Sequence, residues 1–456
     1  MIHTQDKRAI IVTDLGYGDA GKGTIVDFLT CQYNAHTVIR FNGGAQAAHN
    51  VVTPDGRWHT FSQFGAGTFV PGVRSYFSRH TLIDPFALQN EAQHLINIGV
   101  TDCFNRLYID RNALVITPYQ QVANRLKELA RGENRHGSCG MGIGETMSDA
   151  LKDPDLALRM GDIVGFASHH TRRKLQRIRD AKWTELASFL PMLPSTPEAQ
   201  AYAAMFTHES PHEITNILSD FEHITRQVHI VDESALHDWL GEPGCAIFEG
   251  AQGMLLDQDY GFPPYNTWSN TTFANALDLL HEADYQGDVH KLGVLRTYFT
   301  RHGAGCFVTE APELAPLLPE AHNTNSTYQQ HFRVGWFDAV AARYALGVCG
   351  GIDSLALTHM DRLTDLPVYQ WCDAYSLDGS PYDLVPAPAP VDQAVQALVT
   401  RDLFRVTSHY QTVSPQPATV IETLENALNV RVSVTSYGMT ARDKRISPFL
   451  HNPLHP

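Results

Sequence analysis

The chain has 456 residues, of which 43% are hydrophobic and 18% are charged, a composition that excludes wholesale disorder. Its 34 Lys and Arg residues against 49 Asp and Glu give a formal net charge of −15, which argues against nucleic-acid binding through bulk charge. Any phosphate-bearing ligand must therefore be held by a local group of donors.

The cysteine pattern and the hydropathy point to the cytoplasm. Seven cysteines occur without any C-x-x-C spacing, which disfavours a disulfide framework or a zinc module. No apolar run approaches the ~20 residues needed to span a bilayer. The N-terminal segment reaches a Gly-rich loop too early for a signal peptide. We therefore expect a cytoplasmic protein whose partners are small molecules, without membrane or nucleic-acid partners.

Short β-branched runs bounded by Gly, Asp or Asn alternate with helix-like stretches such as 119–130. The runs lie at 9–13, 37–41, 292–298, 354–358 and 431–435. This alternation predicts an α/β fold with a large, mainly parallel central sheet flanked by helices. We interpret residues 1–456 as one domain.

Two segments depart from the alternation. Residues 165–240 are rich in Ala, Leu, His and Glu, and we predict a helical insertion there. Residues 376–391 are rich in proline, which predicts an exposed loop.

The first predicted strand leads into a Gly-rich loop, GYGDAGKGT, at residues 16–24. A strand, a Gly-rich turn, a Lys and a helix start bring backbone N–H groups to phosphate oxygens, so we predict a P-loop-like nucleotide site with Lys22 as its cation. The loop departs from G-x-x-x-x-G-K-[ST] at Gly23, where the usual hydroxyl ligand for Mg²⁺ is missing. Asp19 would be repelled by phosphates unless it binds the metal or takes a proton from a substrate.

A second loop of small residues, GGAQAAH, follows the predicted strand at 37–41 and ends at His49. A histidine can act as a general acid near neutral pH. One histidine among 23 is more often structural, so this loop alone is a weak signal.

Several longer motifs together resemble the adenylosuccinate synthetase family. They are the GDAGKG loop at 18–23, FEGAQGMLLD at 248–257, TWSNTT at 267–272, TRHGAG at 300–305, GWFD at 335–338 and SYG at 436–438. The resemblance extends from residue 9 to about residue 445.

The resemblance implies a homodimeric ligase. In that family GTP and Mg²⁺ are used to phosphorylate the 6-oxygen of IMP, and the amine of L-aspartate then displaces the phosphate. Asp19 matches the catalytic base, which also ligates Mg²⁺, and His49 matches the general acid. The carbonyl of Ala48 falls where the family has a Mg²⁺ ligand.

The resemblance also assigns binding residues. The positions implied for GTP are Gly18, Gly21, Lys22, Gly23 and Thr24 at the phosphates, with Asp361, Ser436 and Gly438 at the base. The positions implied for the acceptor, the compound that receives the amine, are Gln46, Ser138, Cys139, Gln252 and Thr267. Asp361 favours GTP over ATP, although His359 stands where the family has a Lys.

The loop that holds the amine donor differs from the family pattern. Gln330 and Phe332 occupy the places of two arginines that clamp the carboxylates of aspartate, and only Arg333 remains. A dicarboxylate would lose two strong bidentate partners. One hypothesis is that the amine donor is not L-aspartate or is bound differently. The alternative is a drifted loop in which His322 or Arg301 compensates.

The loop that would hold the phosphate of IMP is altered as well. Cys139 replaces a Thr and Met141 replaces an Arg, and residues 149–153 offer no match for an arginine that crosses from the second subunit. This leaves IMP, a nucleoside, a modified nucleotide and a related heterocycle open as acceptors.

We predict a GTP- and Mg²⁺-dependent carbon–nitrogen ligase acting on a purine-ring 6-oxygen. Two alternatives remain at this point. One is an ordinary adenylosuccinate synthetase with a rewired aspartate loop. The other is a non-catalytic protein that binds GTP or a purine.

Overall fold

The computed structural model describes residues 7–164, 169–207, 211–320 and 331–447. Its strands in chain order are β1 (Lys7–Asp14), β2 (Thr37–Arg40), β3 (His49–Val52), β4 (Trp58–Phe61), β5 (Arg74–Phe77), β6 (Leu82–Ile83), β7 (Leu107–Asp110), β8 (Leu114–Val115), β9 (His229–Val231), β10 (Gly244–Gly253), β11 (Asp288–Arg296), β12 (Phe299–His302), β13 (Phe332–Gly335), β14 (Phe337–Asp338), β15 (Ser354–Thr358), β16 (Tyr369–Leu377), β17 (Ser380–Tyr382), β18 (Thr407–Val413), β19 (Val432–Ser436) and β20 (Lys444–Ile446). The helices are α1 (Lys22–Gln32), α2 (Pro85–Asn97), α3 (Pro118–Arg131), α4 (Ile143–Lys152), α5 (Met160–Ile163), α6 (His169–Leu186), α7 (Pro197–Thr207), α8 (Pro211–Thr225), α9 (Glu233–Gly241), α10 (Ala274–Glu282), α11 (Ala339–Val348), α12 (Gln393–Leu403) and α13 (Pro417–Leu428).

A ten-stranded sheet forms the centre of the molecule, in the order β20-β19-β15-β11-β1-β10-β2-β5-β7-β9. All neighbours run parallel except β20, which is antiparallel to β19. The carboxyl ends of the parallel strands therefore meet at one edge of the sheet, where ligands bind in open α/β folds. The predicted α/β class with a large, mainly parallel sheet is confirmed.

The central strand β1 is buried on both faces. Ile10 and Val12 pack into one hydrophobic cluster, and Ala9 and Ile11 pack into the cluster on the opposite face. Successive side chains of a strand point to opposite faces, so a strand covered by helices on both sides reads as a continuous apolar run. The run AIIVT has this pattern.

The predicted apolar runs correspond to β1, β2, β11, β15 and β19, and the helix-like stretch 119–130 corresponds to α3. In the segment 165–240, α6, α7, α8 and α9 are helical, and the short strand β9 joins the edge of the central sheet. None of the described helices is long and apolar enough to cross a membrane.

The proline-rich segment begins with a hairpin. β16 pairs with β17 in antiparallel fashion through a tight turn in which Asp378 and Gly379 have φ values of 52° and 83°. Asp-Gly with two positive φ values is the sequence pattern of such hairpin turns. The residues from 383 to the start of α12 are irregular.

Candidate functional site

A cavity of about 710 Å³ opens where the carboxyl ends of β1, β2, β10, β11, β15 and β19 meet. Sixteen residues predicted from the sequence line it: Gly18, Asp19, Gly21, Lys22, Gly23, Thr24, Gln46, Ala48, His49, Ser138, Cys139, Gln252, Thr267, Asp361, Ser436 and Gly438. The positions assigned to GTP, to the metal and to the acceptor thus share one cavity.

The Gly-rich loop is shaped by a carboxylate that the sequence interpretation missed. Asp14, at the end of β1, is fully buried and accepts hydrogen bonds from the backbone N–H groups of Gly16 and Ala20, each at 2.8 Å. Its carboxylate also lies 3.1 Å from Nζ of Lys22. Asp14 therefore closes the loop and holds the lysine at the start of α1.

Gly23 departs from the usual Ser or Thr because His49 lies directly against it. A Cβ atom built on Gly23 would lie 2.7 Å from Cβ of His49 and 2.9 Å from its carbonyl carbon. Real Cβ atoms do not approach so closely, so a side chain at this position would push β3 away from α1.

Restoring the hydroxyl residue through Gly23→Ser should therefore be harmful. We expect overpacking of about 1–3 kcal/mol, seen as a fall in Tm of about 2–6 °C together with loss of turnover, because His49 would be displaced. Gly241→Ser is the matched control, since a Cβ there meets nothing within 4 Å. Wild-type Tm and activity in Gly23→Ser would contradict this account of the loop.

Asp19 projects a carboxylate into the cavity from a constrained backbone. Its φ of 59° lies in the left-handed region, which Asp tolerates better than most residues. Its carbonyl oxygen accepts a 2.6 Å hydrogen bond from Nε of Arg296, which is itself paired with Glu320. The side chain is 25% exposed, and its Oδ2 lies 3.4 Å from Nε2 of His302. Asp19 is therefore held in place yet remains accessible to a ligand.

His49 forms a buried pair with Glu249, a second partner that the sequence interpretation missed. Nδ1 of His49 is hydrogen-bonded to Oε1 of Glu249, and Oε2 accepts a 2.9 Å bond from the N–H of Ala66. Burial would raise the pKa of Glu249, but Arg40 and His49 outweigh it and lower that pKa. Burial lowers the pKa of His49 despite Glu249. A neutral imidazole that donates from Nδ1 leaves Nε2 as its acceptor nitrogen.

Two glutamines in the cavity wall have buried polar atoms without a partner in the described residues. They are Nε2 and Oε1 of Gln46 and Oε1 of Gln252. Gln252 also has a left-handed φ of 62°. An unpaired buried polar atom costs about 1–3 kcal/mol, so these atoms indicate a polar ligand that completes their hydrogen bonds.

The C-terminal part of the chain reaches the nucleotide loop. The hydroxyl of Thr24 donates a 2.9 Å bond to the carbonyl of Met439, and Oγ of Ser436 donates to the carbonyl of Gly438 at 3.2 Å. The side chain of Asp361 is 42% exposed, with Arg362 3.7 Å away. A carboxylate accessible in this position can accept hydrogen bonds from a base.

His359, which stands at the family's Lys position, is held inside the wall. Burial lowers its pKa well below the usual value, and Arg296 lowers it further. Its Nδ1 lies 2.9 Å from the hydroxyl of Thr358. His359 is therefore neutral and does not supply the positive charge of a lysine.

Of the predicted amine-donor residues, the described Phe332 and Arg333 do not line the cavity. Gln330 lies outside the described residues. Phe332 contacts the ring of His302 with centroids 4.8 Å apart. Arg333 donates to Glu310 at 2.7 Å and to the carbonyl of Gly305 at 2.8 Å.

Arg301, considered from the sequence as a compensating cation, does line the cavity. Its two Nη atoms donate to the carbonyls of Cys306 at 2.6 Å and Tyr265 at 3.2 Å. Its guanidinium lies over the ring of Tyr17 at 4.3 Å. The forked end of Arg301 is thus bonded to the protein itself.

The cavity offers oxygen ligands that suit Mg²⁺. In the part of the chain that the structure describes, no group of three or more His, Cys, Asp or Glu is placed to hold a metal unaided. Mg²⁺ usually takes one or two carboxylates together with the phosphate oxygens of a substrate. The Asp19 carboxylate and the carbonyl of the exposed Ala48 fit that pattern.

Comparisons with known proteins agree on one family. The family model described as adenylosuccinate synthetase matches residues 11–446. The adenylosuccinate synthetase of Microcystis aeruginosa is 32% identical over 384 residues, covering 83% of this chain and 80% of that protein. That of Synechocystis is 30% identical over 457 residues, covering 98% and 96%.

Two solved structures share the fold. Fully ligated adenylosuccinate synthetase from Plasmodium falciparum superposes with a TM-score of 0.76 at 21% identity, covering 97% of this chain and 100% of that chain. The succinoaminodeoxyadenylate synthetase of cyanophage S-2L, bound to dGMP and to dATP as an energy donor, gives a TM-score of 0.58 at 18% identity, covering 97% and 96%.

Proposed function

Because the chain belongs to the adenylosuccinate synthetase family of GTP-dependent carbon–nitrogen ligases, we propose that it phosphorylates the 6-oxygen of a purine ring with GTP and then replaces that oxygen with an amine. The observation that carries this proposal is the shared cavity. It joins the Gly-rich phosphate loop, Asp19 and the His49–Glu249 pair to the unpartnered glutamines Gln46 and Gln252.

In the first step the backbone N–H groups of the loop and Lys22 hold the GTP phosphates. Asp19 accepts the N1 proton of the purine, so the electron pair moves to the 6-oxygen, which attacks the γ-phosphorus and releases GDP. Mg²⁺ bound by Asp19, the Ala48 carbonyl and phosphate oxygens would neutralise charge on the transferred group.

His49 also stabilises the transfer of the γ-phosphoryl group. A phosphoryl oxygen near Nε2 raises the proton affinity of the imidazole, and the negative charge of Glu249 stabilises the imidazolium. A proton taken up from solvent at Nε2 as GTP binds lets the ring donate a hydrogen bond to the developing negative charge.

In the second step the amine attacks C6, phosphate leaves with the former 6-oxygen, and the proton lost by the amine passes to the leaving phosphate. A ring carbonyl oxygen is a poor leaving group, and phosphorylation converts it into a good one. Holding the amine next to C6 supplies the remaining acceleration through proximity.

Asp361 supports GTP as the phosphoryl donor. Its accessible carboxylate can accept hydrogen bonds from N1–H and N2–H of guanine, whereas adenine offers no such pair of donors on that edge. The cyanophage enzyme was solved with dATP as its energy donor, so the choice of base differs among proteins of this fold.

We propose that the amine donor is not L-aspartate. Phe332 packs against His302 in the place of a carboxylate-binding arginine, and the terminal Nη atoms of Arg301 and Arg333 are bonded within the protein. An ordinary adenylosuccinate synthetase that uses L-aspartate is the second candidate.

Restoring the two arginines tests whether L-aspartate or another compound is the amine donor. The double variant Gln330→Arg with Phe332→Arg should use L-aspartate at least about tenfold better than the parent, because a charge-assisted bidentate pair contributes roughly 1.5–3 kcal/mol. The matched control places Lys at both positions, since a lysine cannot form the bidentate fork. An arginine variant no better than its lysine counterpart would refute our interpretation of this loop.

The proposed reaction is tested by phosphate release from GTP with Mg²⁺ and a purine acceptor, with and without L-aspartate, and with the purine product identified by mass. Aspartate-dependent formation of adenylosuccinate would establish the second candidate. Amine-dependent product with other donors would support the proposal.

The assignments to a homodimer and to the cytoplasm extend the family resemblance and remain part of this proposal. A non-catalytic role loses its support, because the chain belongs to a family of ligases and retains Asp19 and His49 in one cavity.

A further inference from the structure

The cavity extends past Ser138 and Cys139 into a chamber between α3, α4 and α6. We call this the acceptor chamber and define it by its polar lining: Asn124, Lys127, Glu128, Glu145, Ser148 and Glu185. Because Ser138 and Cys139 are assigned to the acceptor, the chamber is where the end of the acceptor remote from the reacting ring would lie.

The lysine of the acceptor chamber is held by two carboxylates, whereas Lys22 of the nucleotide loop faces a single carboxylate oxygen. Nζ of Lys127 lies 2.7 Å from both carboxylate oxygens of Glu145 and 2.8 Å from Glu185. Behind it the buried Lys182 contacts Glu145 at 2.9 Å, Asp149 at 2.7 Å and Glu185 at 2.6 Å. The exposed Lys152, 4.0 Å from Glu185, does not line the cavity.

The charges of Lys182 and Glu185 persist at neutral pH. Burial would lower the pKa of Lys182, but the surrounding carboxylates outweigh it and raise that pKa. Burial would raise the pKa of Glu185, but Lys127 and Lys182 lower it to about 2. Lys182 and Glu185 therefore remain ionised.

The other basic residues that line this end offer no free positive charge either, and Arg125, which donates to the carbonyl of Gly140, does not line it. Arg131 is paired with Glu128 at 2.5 Å, and the second carboxylate oxygen of Glu128 accepts from the N–H of Gly137 at 3.1 Å. Burial and the neighbouring Arg131 lower the pKa of His136, which keeps it neutral. Among the described residues that line this end, the charged side chains of Lys127 and Arg131 thus each have a carboxylate partner.

The N-terminus of α4 also offers no site for a phosphate. Helix N-termini attract phosphate because their N–H groups and dipole favour negative charge. In this chain Glu145 lies in the first turn of α4, so a protein carboxylate already takes the place of that negative charge. A phosphate dianion entering the chamber would meet Glu128, Glu145 and Glu185, and the described lining residues offer no cation that is not already paired.

We propose that the acceptor is a purine nucleoside, with a hydroxyl rather than a phosphate at its 5′ end. A sugar hydroxyl can donate to the chamber carboxylates and accept from Asn124 or Ser148, whereas a phosphate can only accept. This inference rests on the proposed function and names the substrate class of the same site.

The test is calorimetric titration of the full-length protein with inosine and, separately, with inosine 5′-monophosphate. Inosine should bind at least about tenfold more tightly, since one uncompensated charge repulsion in a partly buried site is of that size or larger. Equal or tighter binding of the monophosphate would overturn the inference while leaving the proposed ligase reaction intact. Binding of neither compound would reject the purine acceptor itself, and the inference with it.

Removing one carboxylate tests whether charge repulsion is the reason that the monophosphate binds more weakly. Glu185→Gln removes one chamber carboxylate at a residue that is 34% exposed, and it should tighten binding of the monophosphate about tenfold relative to inosine. Glu422→Gln on the exposed face of α13 makes the same charge change outside the cavity and should alter neither affinity. An unchanged ratio in Glu185→Gln would refute the electrostatic argument, and the wild-type titration decides the acceptor even where that variant does not fold.

Discussion

Replacing Asp19 with Asn should lower GTP-dependent product formation by about 10²–10⁴-fold, the usual contribution of a general base. Asn keeps the size of the side chain and tolerates the left-handed φ of 59°. It cannot take the N1 proton, and it removes the negative charge that suits Mg²⁺. Binding of GTP should persist, because the Lys22 ammonium and the loop N–H groups are unchanged.

The matched control is Asp278→Asn on the exposed face of α10, which makes the same chemical change outside the cavity. Initial rates of product formation, with GTP binding measured by calorimetry, separate chemistry from binding. Near-normal turnover in Asp19→Asn would remove Asp19 from the proton transfer and the proposed first step with it.

Replacing Glu249 with Gln should lower turnover by about 10²–10³-fold through its effect on His49. Gln preserves the shape of the side chain and can still accept the Nδ1–H hydrogen bond. It cannot stabilise an imidazolium by charge, so His49 loses proton affinity when the phosphoryl group arrives. Glu249 acts through His49 and is therefore a positioning residue.

A double-variant cycle distinguishes this role from loss of structure. Residues that act as one unit are strongly non-additive, so Glu249→Gln combined with His49→Asn should be no slower than His49→Asn alone. Additive losses would show that Glu249 supports the fold or another step independently of His49.

The parts of the site that could be predicted from the sequence are those written in consecutive residues. The Gly-rich loop, Asp19 and the FEGAQG segment are patterns of consecutive residues. The continuous apolar runs that form β1 and β15 can likewise be recognised without knowing which strands pair with them. In these segments the neighbouring residues determine both the backbone conformation and the chemical groups that it presents.

The partners of these residues depend on sheet register and could not be predicted in that way. Glu249 of β10 lies opposite Arg40 of β2, and its side chain meets His49 at the start of β3, far away in the chain. The reason for Gly23 is likewise the approach of β3 to α1. Neither contact can be predicted from the spacing of residues along the chain. The same holds for the charge network of the acceptor chamber, which joins α3, α4 and α6.

The strand order has a consequence for how the protein is made. β1 emerges first from the ribosome, yet its neighbours are β10 and β11, and Lys7 pairs with Gly244. At about 5–20 residues per second, synthesis of the intervening chain takes roughly 10–50 s. Throughout that interval the apolar run AIIVT has neither neighbour of its final sheet, which makes the nascent N-terminal segment a natural client for chaperones. The Thr24–Met439 contact closes later still, so the nucleotide loop acquires this support only after residue 439 has been translated.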